Sequence, residues 1–525
     1  MKMKLVLVFC ASICFLNSSS QSIDVQHYRF QLQLSDAADK IFGRSLVVVK
    51  HTAANTSVSL DLVQQKSGKG MKVDSVKGST VIGFQQAGDR LIISLRSPSI
   101  INKIDSFEVV YSGTPSDGLI ISKSKFGDRT FFSDNWPNRA RHWIPCNDRP
   151  DDKASVEFII TAPAYYQVIS NGLKIEETNL DKQSKLTHWK ETIPIPTKVM
   201  VIGAAQFAVA RVDTSFSIPV TAWVYPQNKN AGFHDYALST SILKFFSDYV
   251  GPYAFEKLAN VQSKTIFGGM ENASAIFYAE NSVKGDRSSE PLLSHEIAHQ
   301  WFGNMVTEKN FSHLWLSEGF ASYLTDIYFE KTYGRDVFAQ RLQDARKQVI
   351  AYNRVNRPPL VDTVSALMDL LNPNSYQKGE WVLHMLRSEV GDAAFKKIIQ
   401  AFYHQYKGKN ADSRDFQKLA ESVTGVPLTT FFDQWLYRPG VPRIKVQWSY
   451  SGEKVNLRIE HSGTTSYSFP LELGVVDKMG KQTVQRVTVS PGTSATNFSH
   501  KEKPTNIVLD PNTMLLFEGT ISENR

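Results

Sequence analysis

His295-Glu296-Ile297-Ala298-His299, followed by Glu318, is the stretch on which this chain turns. On a helix, residues four apart share a face, so the two imidazoles converge on one point. Such nitrogen donors suit zinc, and a catalytic zinc keeps three protein ligands with a fourth position open for water. Glu296 stands beside that face, where a carboxylate can take a proton from water activated at the metal. The pattern therefore asks for a helix that carries hydrolytic chemistry.

H-E-x-x-H alone recurs by chance, and its surroundings narrow the reading. Pro291-Leu292-Leu293-Ser294 leads in with apolar residues, and Pro is tolerated in a first helical turn. Trp301-Phe302 continues the apolar face, and Gly303 offers a stop. Buried charge is costly without a partner, and a bound metal relieves that cost. A second helix is expected from Ser312 as N-cap to Gly334 as stop. Leu314, Trp315, Phe320, Tyr323, Leu324, Ile327 and Tyr328 give it a broad apolar face. Glu318 lies in its first half between apolar residues, and packed against the first helix it can reach the metal as a third ligand.

Three blocks together resemble the zinc aminopeptidases related to aminopeptidase N and leukotriene hydrolase, a gluzincin family. The first is His295-Glu296-x-x-His299, eighteen residues, then Glu318. Gly268-Gly269-Met270-Glu271-Asn272 resembles the family's G-[AG]-M-E-N element, and Tyr376-Gln377-Lys378-Gly379 its Y-x-K-G element. The resemblance implies one zinc per chain held by His295, His299 and Glu318. It implies Glu296 as general base and Tyr376 as donor to the oxyanion formed at the scissile carbonyl. It also implies that the 268–272 block binds substrate, with Glu271 on the free α-amino group of a peptide. Glycines there let backbone approach a ligand, and a peptide along such an edge is held by main-chain hydrogen bonds.

The chain departs from the family pattern in three places. It ends after a β domain where many relatives continue into a helical domain, which implies a more open cleft or closure by a partner subunit. In Asp134-Asn135-Trp136-Pro137-Asn138-Arg139-Ala140-Arg141, Trp136 stands at the position of a second amine-binding Glu or Gln. Asp134 or Asn135 could substitute, or Trp136 could wall the pocket. Thr325 stands where relatives often place an acid behind a ligand, and Asp326 could compensate.

Changing periodicity divides the rest. Short alternating runs such as Tyr28 to Leu34 indicate an all-β domain over 21–212. Residues 213–438 read as mainly α-helical, a thermolysin-like catalytic domain by resemblance, with the 268–272 block on a short sheet edge. After Pro439-Gly440-Val441-Pro442, alternation returns in 439–525 as a small β-sandwich. Met1-Lys2-Met3-Lys4 followed by apolar Leu5 to Leu16 reads as a signal peptide over 1–20, too short to span a bilayer. The expectation is export, to the periplasm or outside the cell, with no stable membrane insertion.

Beyond that leader the only cysteine is Cys146, which excludes an intramolecular disulfide and suits a packed core thiol. The net charge of +8 comes without a basic tract, so no nucleic-acid partner is expected, and nothing in the pattern specifies an oligomeric state. The leading expectation is an exported zinc metallo-aminopeptidase acting on peptides with a free N-terminus. The alternatives are a leukotriene-hydrolase-like epoxide and peptide hydrolase, and a non-catalytic binding protein on the same scaffold.

Overall fold

The computed structural model describes residues 22–213, 217–462 and 467–524; the expected signal peptide lies outside them. The chain is multidomain, with a β-rich N-terminal region, a helical catalytic region and a C-terminal set of strands, as the periodicity indicated. Among the described residues no helix is long and apolar enough to cross a membrane.

A seven-stranded sheet frames the N-terminal region, and Ile23–Gln33 lies inside it between antiparallel Ile41–His51 and parallel Lys153–Pro163. Tyr28, Phe30, Leu32 and Leu34 are buried, as alternation requires of a half-buried strand. Ile23 and Val25 are buried as well, and a register shift between Val25 and His27 reconciles the two runs. Cys146 is fully buried and unpaired, and burial raises its thiol well above the ordinary range, so it behaves as a core residue.

The catalytic region opens on a five-stranded sheet of Ala208–Asp213, Val220–Val224, Leu258–Ser263, Ala275–Ala279 and Gly269–Met270, the last forming an edge. Three helices then build the site: α1 (Glu290–Ala298), α2 (Trp315–Tyr333) and α3 (Gly379–Val390). Pro291 sits in the first turn of α1, where its missing N–H costs nothing. Two expected boundaries need correction. Helix α1 ends at Ala298 with His299 as its cap, four residues before Gly303, whose φ of 122° serves the turn that follows. Helix α2 begins at Trp315 after a 3-10 turn, Phe311–His313, capped by the Asn310 side chain accepting from the Ser312 N–H at 3.0 Å. Ser312 is thus the capped residue and not the cap; Gly334 does end α2, at φ 96°.

Helices α2 and α3 touch through glycine. A Cβ on Gly319 would lie 2.8 Å from the Gly379 backbone, closer than real side chains pack. Because Gly319 follows Glu318 and Gly379 closes the Tyr376 block, this close approach brings both residues to one site. In the C-terminal region a four-stranded and a three-stranded sheet bury alternate residues, including Ile444, Val446, Trp448, Leu471 and Leu473.

Candidate active site

His295 and His299 leave α1 on one face, with their Nε2 atoms 3.0 Å apart. Glu318 Oε2 lies 3.3 Å from the first and 3.2 Å from the second. Ligands about 2.0–2.2 Å from one tetrahedral centre are themselves spaced by roughly 3.3 Å, so this donor set has the dimensions and chemistry of a zinc site. His299 Nδ1 faces the Phe302 carbonyl at 3.0 Å and the Ser317 hydroxyl at 3.1 Å. Donation from Nδ1 turns the Nε2 lone pair toward the centre.

The electrostatics fit a buried cation. Burial opposes an imidazolium at His299, yet Glu318 and then Glu271 and Glu296 raise its pKa to about 10. Burial likewise opposes the Glu318 carboxylate, but the two histidines hold it far below the usual range. Burial lowers His295, which stays a neutral donor. Two imidazoles and a carboxylate facing one point offer the donor atoms that a positive ion there would need.

Glu296 and Glu271 complete the cluster: their carboxylates and a His299 ring nitrogen lie within 4.8 Å of one another. Gly269 makes room, since a Cβ there would strike the Glu296 carboxylate. Gly268 is exposed, and a Cβ built on it would meet only Leu292, at 3.8 Å. Burial, then the neighbouring Glu271 and Glu318 acting against His299, pushes Glu296 well above the ordinary carboxylate range. Glu271 is buried, and its Oε1 has no partner among the described residues.

Tyr376 sits in a five-residue π-helical turn, Asn374–Lys378, directly before α3, not in an open loop. Its ring stacks on His295 at 5.9 Å between centroids and 18° between planes. Burial and the carboxylates of Glu318, Glu271 and Glu296 raise its pKa well above the ordinary value, so the phenol keeps its proton.

All these groups line one cavity of about 390 Å³, together with Gly268, Gly269 and Met270. Asn272, expected beside them, is fully buried and does not line it. The 134–136 question resolves by contact. Asp134 is committed to Arg139, Thr265 and the Ile266 N–H, at 2.8, 2.9 and 2.9 Å. The Asn135 amide donates to the Thr197 and Met200 carbonyls and accepts from the Trp143 indole. Trp136 alone faces the cavity, fixed edge-to-face between Phe267 and Phe311 at 5.9 and 5.7 Å. Behind the ligands, Asp326 pairs with Arg341, and the Thr325 hydroxyl has no partner among the described residues. Sequence reading missed Ser317, Phe267, Leu292 and Leu371; Ser317 alone carried a signal, as a small polar residue beside Glu318.

Comparison with known proteins gives two family matches. The Peptidase M1 N-terminal domain matches residues 24–199, and the Peptidase family M1 domain matches residues 235–435. A glutamyl aminopeptidase of Sus scrofa is 28% identical over 334 residues, 60% of this chain and 35% of that protein. Probable aminopeptidase 2 of Sulfurisphaera tokodaii is 26% identical over 431 residues, 77% of this chain and 54% of that protein. Aminopeptidase M1-C of Oryza sativa subsp. japonica is 26% identical over 356 residues, 64% of this chain and 40% of that protein. The chain thus spans about a third to about half of the length of these relatives.

Proposed function

Because the chain belongs to the peptidase M1 family, we propose that it is an exported zinc metallo-aminopeptidase releasing N-terminal residues from peptides. The observation that carries the reading is the convergence of His295, His299, Glu318, Glu296, Glu271 and Tyr376 on one cavity. One zinc per chain, held by the two histidines and Glu318, would supply Lewis acidity and a more acidic water. Glu296 takes the proton of the attacking water and returns it to the leaving amine. Tyr376 donates its O–H to the developing oxyanion. Glu271 holds the substrate ammonium, so that only the first peptide bond reaches the reacting groups. Export rests on the N-terminal apolar run, and periplasmic or extracellular location follows from it.

The test is one peptide in free and Nα-acetylated form. A charge-assisted hydrogen bond is worth about 1.5–3 kcal/mol, so kcat/KM should favour the free form by roughly 10–100-fold. Equal rates would make the protein an endopeptidase; no turnover of either, with zinc bound, would favour the binding-protein alternative.

The cavity walls also choose the first side chain. Trp136, Phe267, Met270, Leu292 and Leu371 are apolar, and among the described residues no Lys or Arg lines the cavity. An acidic side chain would enter beside Glu271, Glu296 and Glu318 without a Lys or Arg side chain to meet it, and like-charge juxtaposition is costly. The specificity in the porcine relative's name is therefore not carried over. Leucyl and phenylalanyl anilides should exceed the glutamyl anilide by at least about tenfold in kcat/KM, on the scale of 1.4 kcal/mol per decade. Equal or better use of the glutamyl substrate would show that the walls do not select.

A further inference from the structure

We infer that Gln300 and Asn304 are positioning residues that hold Glu271 at a set distance from the metal ligands, and so make the site count one residue from the N-terminus. The inference rests on the reading of Glu271 as the amine anchor. Gln300 follows His299 directly, and both amides are buried. The Gln300 Nε2 donates to the Glu271 carbonyl at 2.9 Å, while its Oε1 accepts from the Ser274 N–H at 2.9 Å. Asn304 Nδ2 donates to the same Glu271 carbonyl at 2.7 Å. The Asn304 backbone N–H in turn donates to the His299 carbonyl at 3.1 Å. One turn of chain beyond α1 thus grips the Glu271 segment through side-chain bonds from both amides, and is itself tied to His299.

The segment needs such a grip. Its strand, Gly269–Met270, has two residues and, among the described residues, pairs only with Ala275–Ala279. Glu271 lies past its end, and Ser274 closes the turn at φ 60°, the left-handed region. Lys153, reaching from the N-terminal sheet, donates to the Asn304 and Met305 carbonyls at 3.1 and 2.9 Å and fixes the gripping turn from behind. The buried Gln300 amide has both ends engaged, and Asn304 adds a second donor to the same carbonyl, so a shift of the Glu271 segment would strand buried polar groups. A substrate ammonium bound at Glu271 is therefore referenced to the same turn that carries His299, and a misplacement near 1 Å is enough to degrade positioning.

The test uses the zinc-loaded full chain with Gln300→Met and Asn304→Ala, which keep bulk or remove it but take away the donors. Zinc content and thermal unfolding are recorded first. Kinetics then follow one peptide in free and Nα-acetylated form, and calorimetry compares binding of L-leucine with N-acetyl-L-leucine. The expected result is a rise of about tenfold in KM for the free peptide and in Kd for L-leucine, on the scale of one lost buried hydrogen bond. Turnover of the acetylated peptide should stay within about twofold, with zinc retained. Equal losses on both peptides, or an unchanged ratio of free to blocked, would overturn the inference. If either variant unfolds or loses zinc, Asn304→Ser, which shortens the side chain but keeps a hydroxyl donor, decides by the same ratio. A wild type that treats free and blocked peptides alike overturns the amine assignment of Glu271 and the inference with it; a discriminating wild type with equally discriminating variants overturns the inference alone.

Discussion

Glu296→Gln should keep its zinc and lose about 10²–10⁴-fold in turnover, the scale of a missing general base. The residue is buried in the floor of the cavity, beside Gly269 and within 4.8 Å of the Glu271 and His299 donor atoms. It contributes no atom to the His295, His299 and Glu318 set, so metal content should not change. Glutamine has the same shape and still accepts a hydrogen bond from water, but it cannot hold a proton. The substitution therefore removes proton transfer while leaving packing in place. Burial has already moved this carboxyl well above its ordinary range, the direction that strengthens a base near neutral pH. Metal analysis and initial rates on an amino-acid anilide decide it. Turnover within about tenfold of wild type, at full zinc occupancy, would take Glu296 out of the mechanism.

The parts of this site that were legible are those written by local geometry. His295 and His299 meet because a helix places residues four apart on one face, and the structure brings their nitrogens together. The apolar run around Glu318 pointed to a buried acid, and Glu318 is buried. Strand alternation read equally well in both β regions, since burial on one face imposes a period of two. Helix ends were less legible. Gly303 and Ser312 were attractive stop and start signals, but the tight turn after His299 and the 3-10 turn capped by Asn310 settle the ends through contacts that no periodicity encodes.

Beyond the blocks that the family resemblance gathers into one site, long-range contacts were not legible. The fate of 134–136 depended on Thr265, Ile266 and Phe267, more than a hundred positions away, which decide that Asp134 is occupied and Trp136 faces the cavity. Gln300 and Asn304 stood in plain view as amides among apolar neighbours, yet their partner is a carbonyl of another segment. A buried amide announces that a partner exists and gives no direction to it.

Tyr376→Phe should cost about 10²–10³-fold in kcat with little change in KM, the scale of one lost oxyanion donor. The turn that carries the residue is held from several sides. Asn374 accepts from the Asn353 amide at 2.8 Å and donates to the Pro358 carbonyl at 2.9 Å. Buried Lys378 donates to the Gly440 carbonyl at 2.9 Å, and Gly379 lies against Gly319. A phenylalanine keeps the ring that stacks on His295, so the turn and the zinc ligands should stay where they are. What it removes is the O–H, which the raised pKa keeps protonated. The ground-state carbonyl needs that donor less than the oxyanion does, so the loss should fall on kcat and leave KM nearly unmoved. The decisive measurement is kcat and KM for one free peptide, with zinc content checked in parallel. A kcat within about threefold of wild type would show that Tyr376 only packs against His295. A rise in KM at constant kcat would make it a substrate-binding residue instead.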